Sequence, residues 1–544
     1  MSSTTGPVPP SQARMTLPPP PSPARGRRGR GAVVLAVVAS VAVPVLIAVV
    51  GAVALWWTGR VDTVGAVAFD RPLRVPPLAG STVDADGTRV FDLTMRTGRT
   101  DLGGTRPTDT WGVDGAHLAP TLRVARGERV RIDVRNDLPE TSTLHWHGLH
   151  APAAQDGGPH RVVAPGSSWS ASWRVDQPAT TAWYHPHAHG TTAAHVRRGV
   201  YGMFLVDDPA RAPAGLPSDY GVDDVPVMVQ DVTLARDGSL PAGSGFLEVT
   251  GPLGDTLLVN GTPGPHLDVT TEAVRLRLLN ASAARVYDFA LDDGRRMDLV
   301  ATDGGLLPAP VPMTSVLLSP GERAEVVVRV RPGERVVLRS GPPDLGVAGV
   351  MVRMTGARDR FDVLELRAAD RLAPSPPLPA VLAAAPDLDP AAATVTRTFD
   401  LADGNQVNGL RMDMTRVDEV ATTGTTEQWL VRNLDGMPHN FHLHGTSYVV
   451  AELDGAPPPA HLAGWKDTVL LPPGSSARLL VRHDGPADPD AAYLYHCHLL
   501  AHHDQGMMGQ LVVVAPGQRP APGLDEAGRD EAAPLFPGAV AHDH

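Results

Sequence analysis

Three segments of this 544-residue chain share one frame. The first is Val134-Arg135-Asn136, with His145 nine residues after the asparagine and His147 eleven after. The third is Val431-Arg432-Asn433, with His442 and His444 at the same two offsets. The middle one is Leu278-Leu279-Asn280, where Phe289 and Leu291 take those places. Self-similarity of this kind describes whole folding units, so the chain is expected to form three related modules. Length agrees. One hydrophobic core does not grow to this size, and about 450 residues between the N-terminal segment and the tail make three domains at about 150 each. Along a strand, alternate side chains project to the same face. Each His-x-His is therefore a two-pronged ligand, kept in the outer modules and replaced by apolar residues in the middle one. The outer two are expected to face each other and share metal, with the middle one as a spacer.

Past residue 70 the hydrophobic pattern has period two, as in Arg129-Val130-Arg131-Ile132-Asp133-Val134 and Ala324-Glu325-Val326-Val327-Val328-Arg329-Val330. Turn clusters such as Ser319-Pro320-Gly321 and Pro472-Pro473-Gly474 separate the runs, and no long amphipathic helix is visible. The expected class is all-β, built as sandwiches or barrels. Residues 1–31 carry five arginines and no acid, which leaves 42 basic against 59 acidic side chains in the rest. Such an acidic surface argues against a nucleic-acid partner.

Residues 1–31 read as a disordered basic segment on the cytoplasmic side. An uninterrupted apolar run, Ala32 to Trp57, follows Arg25, Arg27, Arg28 and Arg30. It is long enough to span a bilayer, and the preceding positive cluster keeps the N-terminus inside. The expectation is a single-pass anchor in the cell membrane at 32–57, with everything beyond it outside the cytoplasm. The alternative is export with signal cleavage, for which Ala66-Val67-Ala68 resembles a small-residue site. The remaining divisions are a linker at 58–74, domains at 75–208, 209–371 and 394–515, a Pro- and Ala-rich linker at 372–393, and a mobile tail at 516–544. His542 and His544 in that tail read as incidental.

The chain has one cysteine, Cys497, in His496-Cys497-His498, with His502 five residues on and Met507 ten on. No intrachain disulfide is possible. Five ligand-type residues within ten positions also make an inert buried cysteine a poor explanation. A thiolate, an imidazole and a thioether are what a blue-copper site needs, given a second imidazole from elsewhere. The flanking histidines point the other way along a strand, so they can hold a second metal centre. Three further motifs add to this: His145-Trp146-His147-Gly148, His185-Pro186-His187-Ala188-His189-Gly190 and His439-Asn440-Phe441-His442-Leu443-His444-Gly445. One His-x-His is weak evidence, compatible with structural zinc. Four across two homologous modules are strong evidence.

These four motifs, in this order over residues 75–515, resemble the multicopper oxidases, the family of laccases, bilirubin oxidases and periplasmic cuprous oxidases. The resemblance implies three cupredoxin-like Greek-key β-sandwich domains, here preceded by the one N-terminal transmembrane helix. It implies four copper ions. The type 1 copper would be held by His439, Cys497 and His502, with Met507 as axial ligand; Met508, next along the chain, faces the other way. The type 2 copper would take His145 and His442. The type 3 pair would take His147, His185, His187, His444, His496 and His498. No ligand position is missing, whereas some relatives on this fold have lost theirs.

The activity so implied is one-electron oxidation of a small reducing substrate coupled to four-electron reduction of dioxygen to water. The substrate would dock at an exposed edge of His439 or His502. Asp156, in Gln155-Asp156-Gly157-Gly158, and Asp504 are candidates for proton relay. Some family members carry an acid where His503 stands. His189 has no place in the ligand set, and a hydrogen-bonding role is expected for it. Two donor classes remain open, phenols or aromatic amines and cuprous ion. For the second, Met412, Met414, Asp435 and Met437 form a sequence cluster before His439. The alternative function is a copper-tolerance metallo-oxidase or copper-binding protein with little activity on organic substrates.

Overall fold

The structure is a computed structural model, which describes residues 6, 40–51, 53–54, 59–241, 249–402 and 404–521. Residues 1–59 and 60–544 form separate units. In the first, 40–51 and 53–54 are helical, and among the described residues no helix is long and apolar enough to cross a membrane. The expected spanning helix at 32–57 is not supported by them, and 32–39, 52 and 55–57 lie outside the described residues. So do residues 1–31 except Gly6, and the tail from 522 with His542 and His544.

The second unit is built of β-strands in six sheets. The repeat becomes three equivalent strands, Arg129–Asn136, Ala273–Asn280 and Thr426–Asn433. Each pairs in parallel with one earlier strand and antiparallel with one later strand. Val130, Ile132 and Val134 point inward, with Arg131 and Asp133 between them on the other face, as the alternation requires. The three asparagines are buried and do one job. Asn136 Nδ2 donates to the carbonyls of Glu140 and Val163, and its Oδ1 accepts from Leu138 N. Asn280 repeats this with Arg285, Leu318 and Ser282, and Asn433 with Met437, Leu471 and Asp435. Each side chain satisfies three backbone groups at a strand end, and so fixes where the next strand begins. That strand carries His145–His147, Tyr287–Leu291 or His439–Leu443.

Each repeat strand belongs to one of three cores. The first holds Phe91, Ile132, Trp146 and Phe204. The middle one holds Val227, Leu276, Phe289, Leu291 and Leu366. The third holds Phe399, Trp429, Phe441 and Tyr495, together with Cys497 and Met507. Two segments expected as linkers are packed. Arg71–Pro72 joins Pro265–Thr271 as a parallel edge strand of the middle unit. Leu382 is buried beside Ala273, Val300 and Val327.

The first and middle modules share a buried ion cluster. Glu325 accepts from Arg275 Nε at 2.7 Å, Arg277 Nη1 at 2.9 Å and Thr181 Oγ1 at 2.6 Å. Burial pushes its carboxyl up, but the two guanidinium groups outweigh burial and bring it down to about 2. A carboxyl lowered on folding stabilises the protein fully above its unfolded pKa near 4.5, and that stability drains as pH falls towards 2. The loss amounts to roughly 3 kcal/mol by linkage. Glu325→Gln is expected to be less stable at neutral pH and to flatten this part of the acid-unfolding curve. Parallel curves for variant and wild type would rule the account out.

Candidate metal centre

Cys497 is fully buried, and its Sγ lies 3.6 Å from His439 Nδ1 and 3.7 Å from His502 Nδ1. The two nitrogens are 3.0 Å apart. One first-row metal ion with bonds of roughly 2 Å spans such a triangle. The outer nitrogens are engaged: His502 Nε2 donates to Val249 O at 2.8 Å, and His439 Nε2 to Asp435 Oδ2 at 3.1 Å. Each ring is thereby held with its Nδ1 facing Cys497. Burial pushes the Cys497 thiol up, yet His439 and His502 outweigh it and bring it down to about 5. Burial pulls His439 down, but Asp435 and Cys497 raise it to about 9. A thiolate facing an imidazolium is poised to exchange a proton for a metal cation. Met507 shares the buried cluster of Cys497, whereas Met508 sits opposite His496 in the ladder. Neither His439 nor His502 has the exposed edge expected of it. Both rings are 0 % exposed, His439 capped by Asp435 and His502 by a backbone carbonyl reaching over from residue 249.

The other eight histidines form one cage between the first and third modules. Strand register brings His145 opposite His185 and His442 opposite His496. Across the modules, His187 Nε2 lies 3.2 Å from His496 Nε2, and His185 Nε2 lies 3.4 Å from His498 Nε2. His444 Nε2 is 3.0 Å from His496 Nε2. His147 stacks on His442 at 3.7 Å between centroids and His145 on His444 at 3.9 Å. Three-residue groups able to hold a metal include His145 with His147 and His442, His147 with His185 and His498, and His442 with His444 and His496.

The outer nitrogens are again tied back. His145 Nδ1 meets Asp156 O at 2.9 Å, His442 Nδ1 meets Asp467 O at 2.9 Å, His185 Nδ1 meets Pro186 O, and His496 Nδ1 meets Cys497 O. His444 Nδ1 donates to Asp156 Oδ2 at 2.7 Å. The inward atoms His145 Nε2, His147 Nδ1 and His442 Nε2 are buried with no hydrogen-bond partner among the described residues. Burial, then the charge of neighbouring imidazoles, holds His185, His187, His444, His496 and His498 well below the usual imidazole range. These neutral rings with unshared lone pairs aimed at common points fit copper ions, and so does the donor set.

Asp156 links two of the rings, contacting His145 Nδ1 at 3.1 Å and His444 Nδ1 at 2.7 Å, while its buried Oδ1 has no partner among the described residues. It is seated by Gly157 at φ +75°, where a Cβ would overlap the Leu144 carbonyl. Asp504 accepts from the backbone N–H groups of Thr192 and Ala193 and faces His503 Nδ1 at 3.1 Å. His189 lies half-buried at the rim, and its Nδ1 finds no hydrogen-bond partner among the described residues.

Three residues escaped sequence reasoning. His503 is fully buried, and its Nε2 lies 3.3 Å from His187 Nδ1; the acid found there in some relatives was the available signal. Arg323 and Asp467 form a buried pair beside His147, and no local motif marks them.

Three multicopper oxidase domain profiles match the chain, at residues 94–211, 223–335 and 384–517. Together they span more than half of it. The chain belongs to the multicopper oxidase family. Within the family it is 37 % identical to cell division protein FtsP of Yersinia pestis over 454 residues, covering 81 % of this chain and 92 % of that one. Among solved structures it is similar to a laccase-like multi-copper oxidase from Ochrobactrum sp., with 35 % identity and a TM-score of 0.73 over 81 % of this chain and 100 % of that one. It is also similar to a laccase from Pediococcus acidilactici, with 31 % identity and a TM-score of 0.73 over 81 % of this chain and 93 % of that one.

Proposed function

We propose that this multicopper oxidase holds four copper ions and couples one-electron oxidation of a small reducing substrate to reduction of dioxygen to water. His439, Cys497 and His502 would hold the type 1 copper, with the Met507 thioether as a further soft donor. His145 and His442 would hold the type 2 ion. His147, His185 and His498 would hold one type 3 ion, and His187, His444 and His496 the other. When bound, these ions supply single-electron acceptance at the thiolate and four-electron reduction of dioxygen at the imidazole cage. The observation that carries the reading is the set of inward imidazole nitrogens, buried and without hydrogen-bond partners among the described residues, converging from two modules.

The chain's own groups do the rest. His496 and His498 flank Cys497 directly, so a short covalent path joins the two centres. Asp156 holds His145 and His444 and has a carboxylate oxygen, without a partner among the described residues, on which a proton can arrive. A second route for protons is His187, His503 and Asp504, in contact at 3.3 and 3.1 Å. At the other end the donor has to approach through Asp435, since both type 1 rings are covered. A carboxylate there favours a donor that is cationic or carries a hydroxyl or amine hydrogen, which fits cuprous ion, phenols and aromatic amines. The Ochrobactrum relative has oxidase activity towards lignin model compounds and lignosulfonate, which supports the organic class. Met412, Met414 and Met437 with Asp435 support the cuprous one.

Oxygen uptake by the copper-replete chain separates these readings. Uptake with a model phenol, with cuprous ion, or with both is expected. No uptake with either, together with far fewer than four coppers per chain, would refute the proposal.

A second reading comes from the FtsP relatives, whose name assigns them to cell division. An anchor at 32–57 or cleavage near Ala68 would place the β domains outside the cytoplasm for such a role. The mass of the exported protein tells the two apart.

A further inference from the structure

The middle module carries no imidazole at the repeat position, yet one stretch of it, Ser319 to Arg323, reaches the metal centre in three places. Resting on the copper reading above, we propose that this turn aims His147 and His498 at the copper ions, with Arg323 and Asp467 as positioning residues.

Arg323 is the anchor. It is 0 % exposed, and all its nitrogens donate. Nε donates to Thr181 O at 2.9 Å. Nη1 donates to Gly321 O at 3.1 Å and to Asp467 Oδ1 at 2.7 Å. Nη2 donates to Asp303 O at 2.9 Å and to Asp467 Oδ2 at 2.7 Å. These acceptors come from all three modules, so the planar guanidinium can sit in one way only. Its two Nη groups hold both oxygens of the buried Asp467 carboxylate, which fixes the plane of that side chain.

Asp467 in turn sets His147. Its Oδ1 lies 3.2 Å from His147 Nε2, which donates to it. The lone pair of this ring is therefore on Nδ1, the atom that is buried and unpartnered. The rings of His145, His185, His442, His444 and His496 are tied back through Nδ1 instead. His147 is turned the opposite way, and that orientation needs its own acceptor. Gly148, the glycine of the same motif, leaves the room, because a Cβ there would collide with the Arg323 guanidinium.

His498 is held differently. Its Nδ1 has no hydrogen-bond partner among the described residues. What lies on it is Gly321, at φ +87°, where a Cβ would stand 3.0 Å from the imidazole. Ser319 Oγ and Pro320 O accept from Asn440 Nδ2 at 2.9 and 2.8 Å, and Asn440 Oδ1 accepts from His498 N at 2.6 Å. The turn thus packs on the ring and, through Asn440, pins its backbone.

The test uses the full chain loaded with copper, as wild type, Asp467→Asn, Arg323→Lys and Gly321→Ala. Metal analysis, visible absorption and EPR are read beside kcat and KM. Each variant is expected to keep the type 1 band, which reports an intact third module. The EPR-silent share of copper should fall as the type 3 pair loses its coupling. kcat should drop about tenfold or more, the usual cost of losing a partner behind a metal ligand, with KM for the reducing substrate unchanged. An EPR-silent share and a kcat within about twofold of wild type in all three variants would overturn the proposal. So would loss of the type 1 band in all three, since the turn would then be holding the fold rather than the rings. If the wild type takes up no copper, the copper reading itself fails and this inference falls with it.

Discussion

Cys497→Ser is expected to leave a folded protein that is colourless and inactive. The side chain is fully buried among Tyr495, Leu499 and Met507, and serine fits the same space. What changes is the donor. His439 and His502 bring the thiol down to about 5, so it is a thiolate at neutral pH. A serine hydroxyl in that place stays protonated and lacks the soft sulfur that favours copper cycling between two oxidation states. The blue absorption should vanish, and oxygen uptake should fall to background. The imidazole cage lies on the opposite face of the strand and should keep its copper. Circular dichroism, metal content and oxygen uptake on one preparation check all three parts, and a blue, turning-over variant would sink the type 1 assignment. The same variant separates catalysis from division. If cells lacking the chain divide poorly and Cys497→Ser restores them, the division role does not depend on the oxidase.

Asp156→Asn is expected to slow turnover by about 10²-fold, the lower end of what a positioned acid or base contributes. Asparagine keeps the shape and one acceptor for His444 Nδ1, and the backbone carbonyl of residue 156 still holds His145. Copper content and the type 1 band should therefore be unchanged. KM for the reducing substrate should also be unchanged, since on the proposed reading the donor would approach at Asp435, on the other centre. The loss is confined to proton delivery, because an amide cannot take up a proton at Oδ1 and pass it on. A larger solvent isotope effect on kcat is the accompanying sign. An unchanged kcat would reduce Asp156 to a clamp on two imidazoles.

Much of the candidate site was legible because local chemistry encodes it. The alternation of side chains decides that both histidines of His145-Trp146-His147 share a face and that Cys497 turns away from its neighbours. The shared frame after Asn136, Asn280 and Asn433 was legible for the same reason, and its basis is a common set of three hydrogen bonds. The apolar run at 32–57 read clearly as a span, yet the described residues contain no helix long enough to support it. The segment at 58–74 read as a linker because a two-residue edge strand leaves no period to detect.

Composition, spacing and periodicity by themselves determined three β modules, two of them carrying paired histidines, and a lone cysteine among histidines. These properties are written in neighbouring residues, where strand geometry converts position directly into facing. The tertiary structure alone decided that His503 lies behind His187, 316 residues away, and that Arg323 reaches 144 residues to Asp467. It also decided that Asp435 and the carbonyl of Val249 close over His439 and His502. Such contacts depend on how separately folded sheets dock, and docking is set by whole surfaces meeting, which no short stretch of chain records.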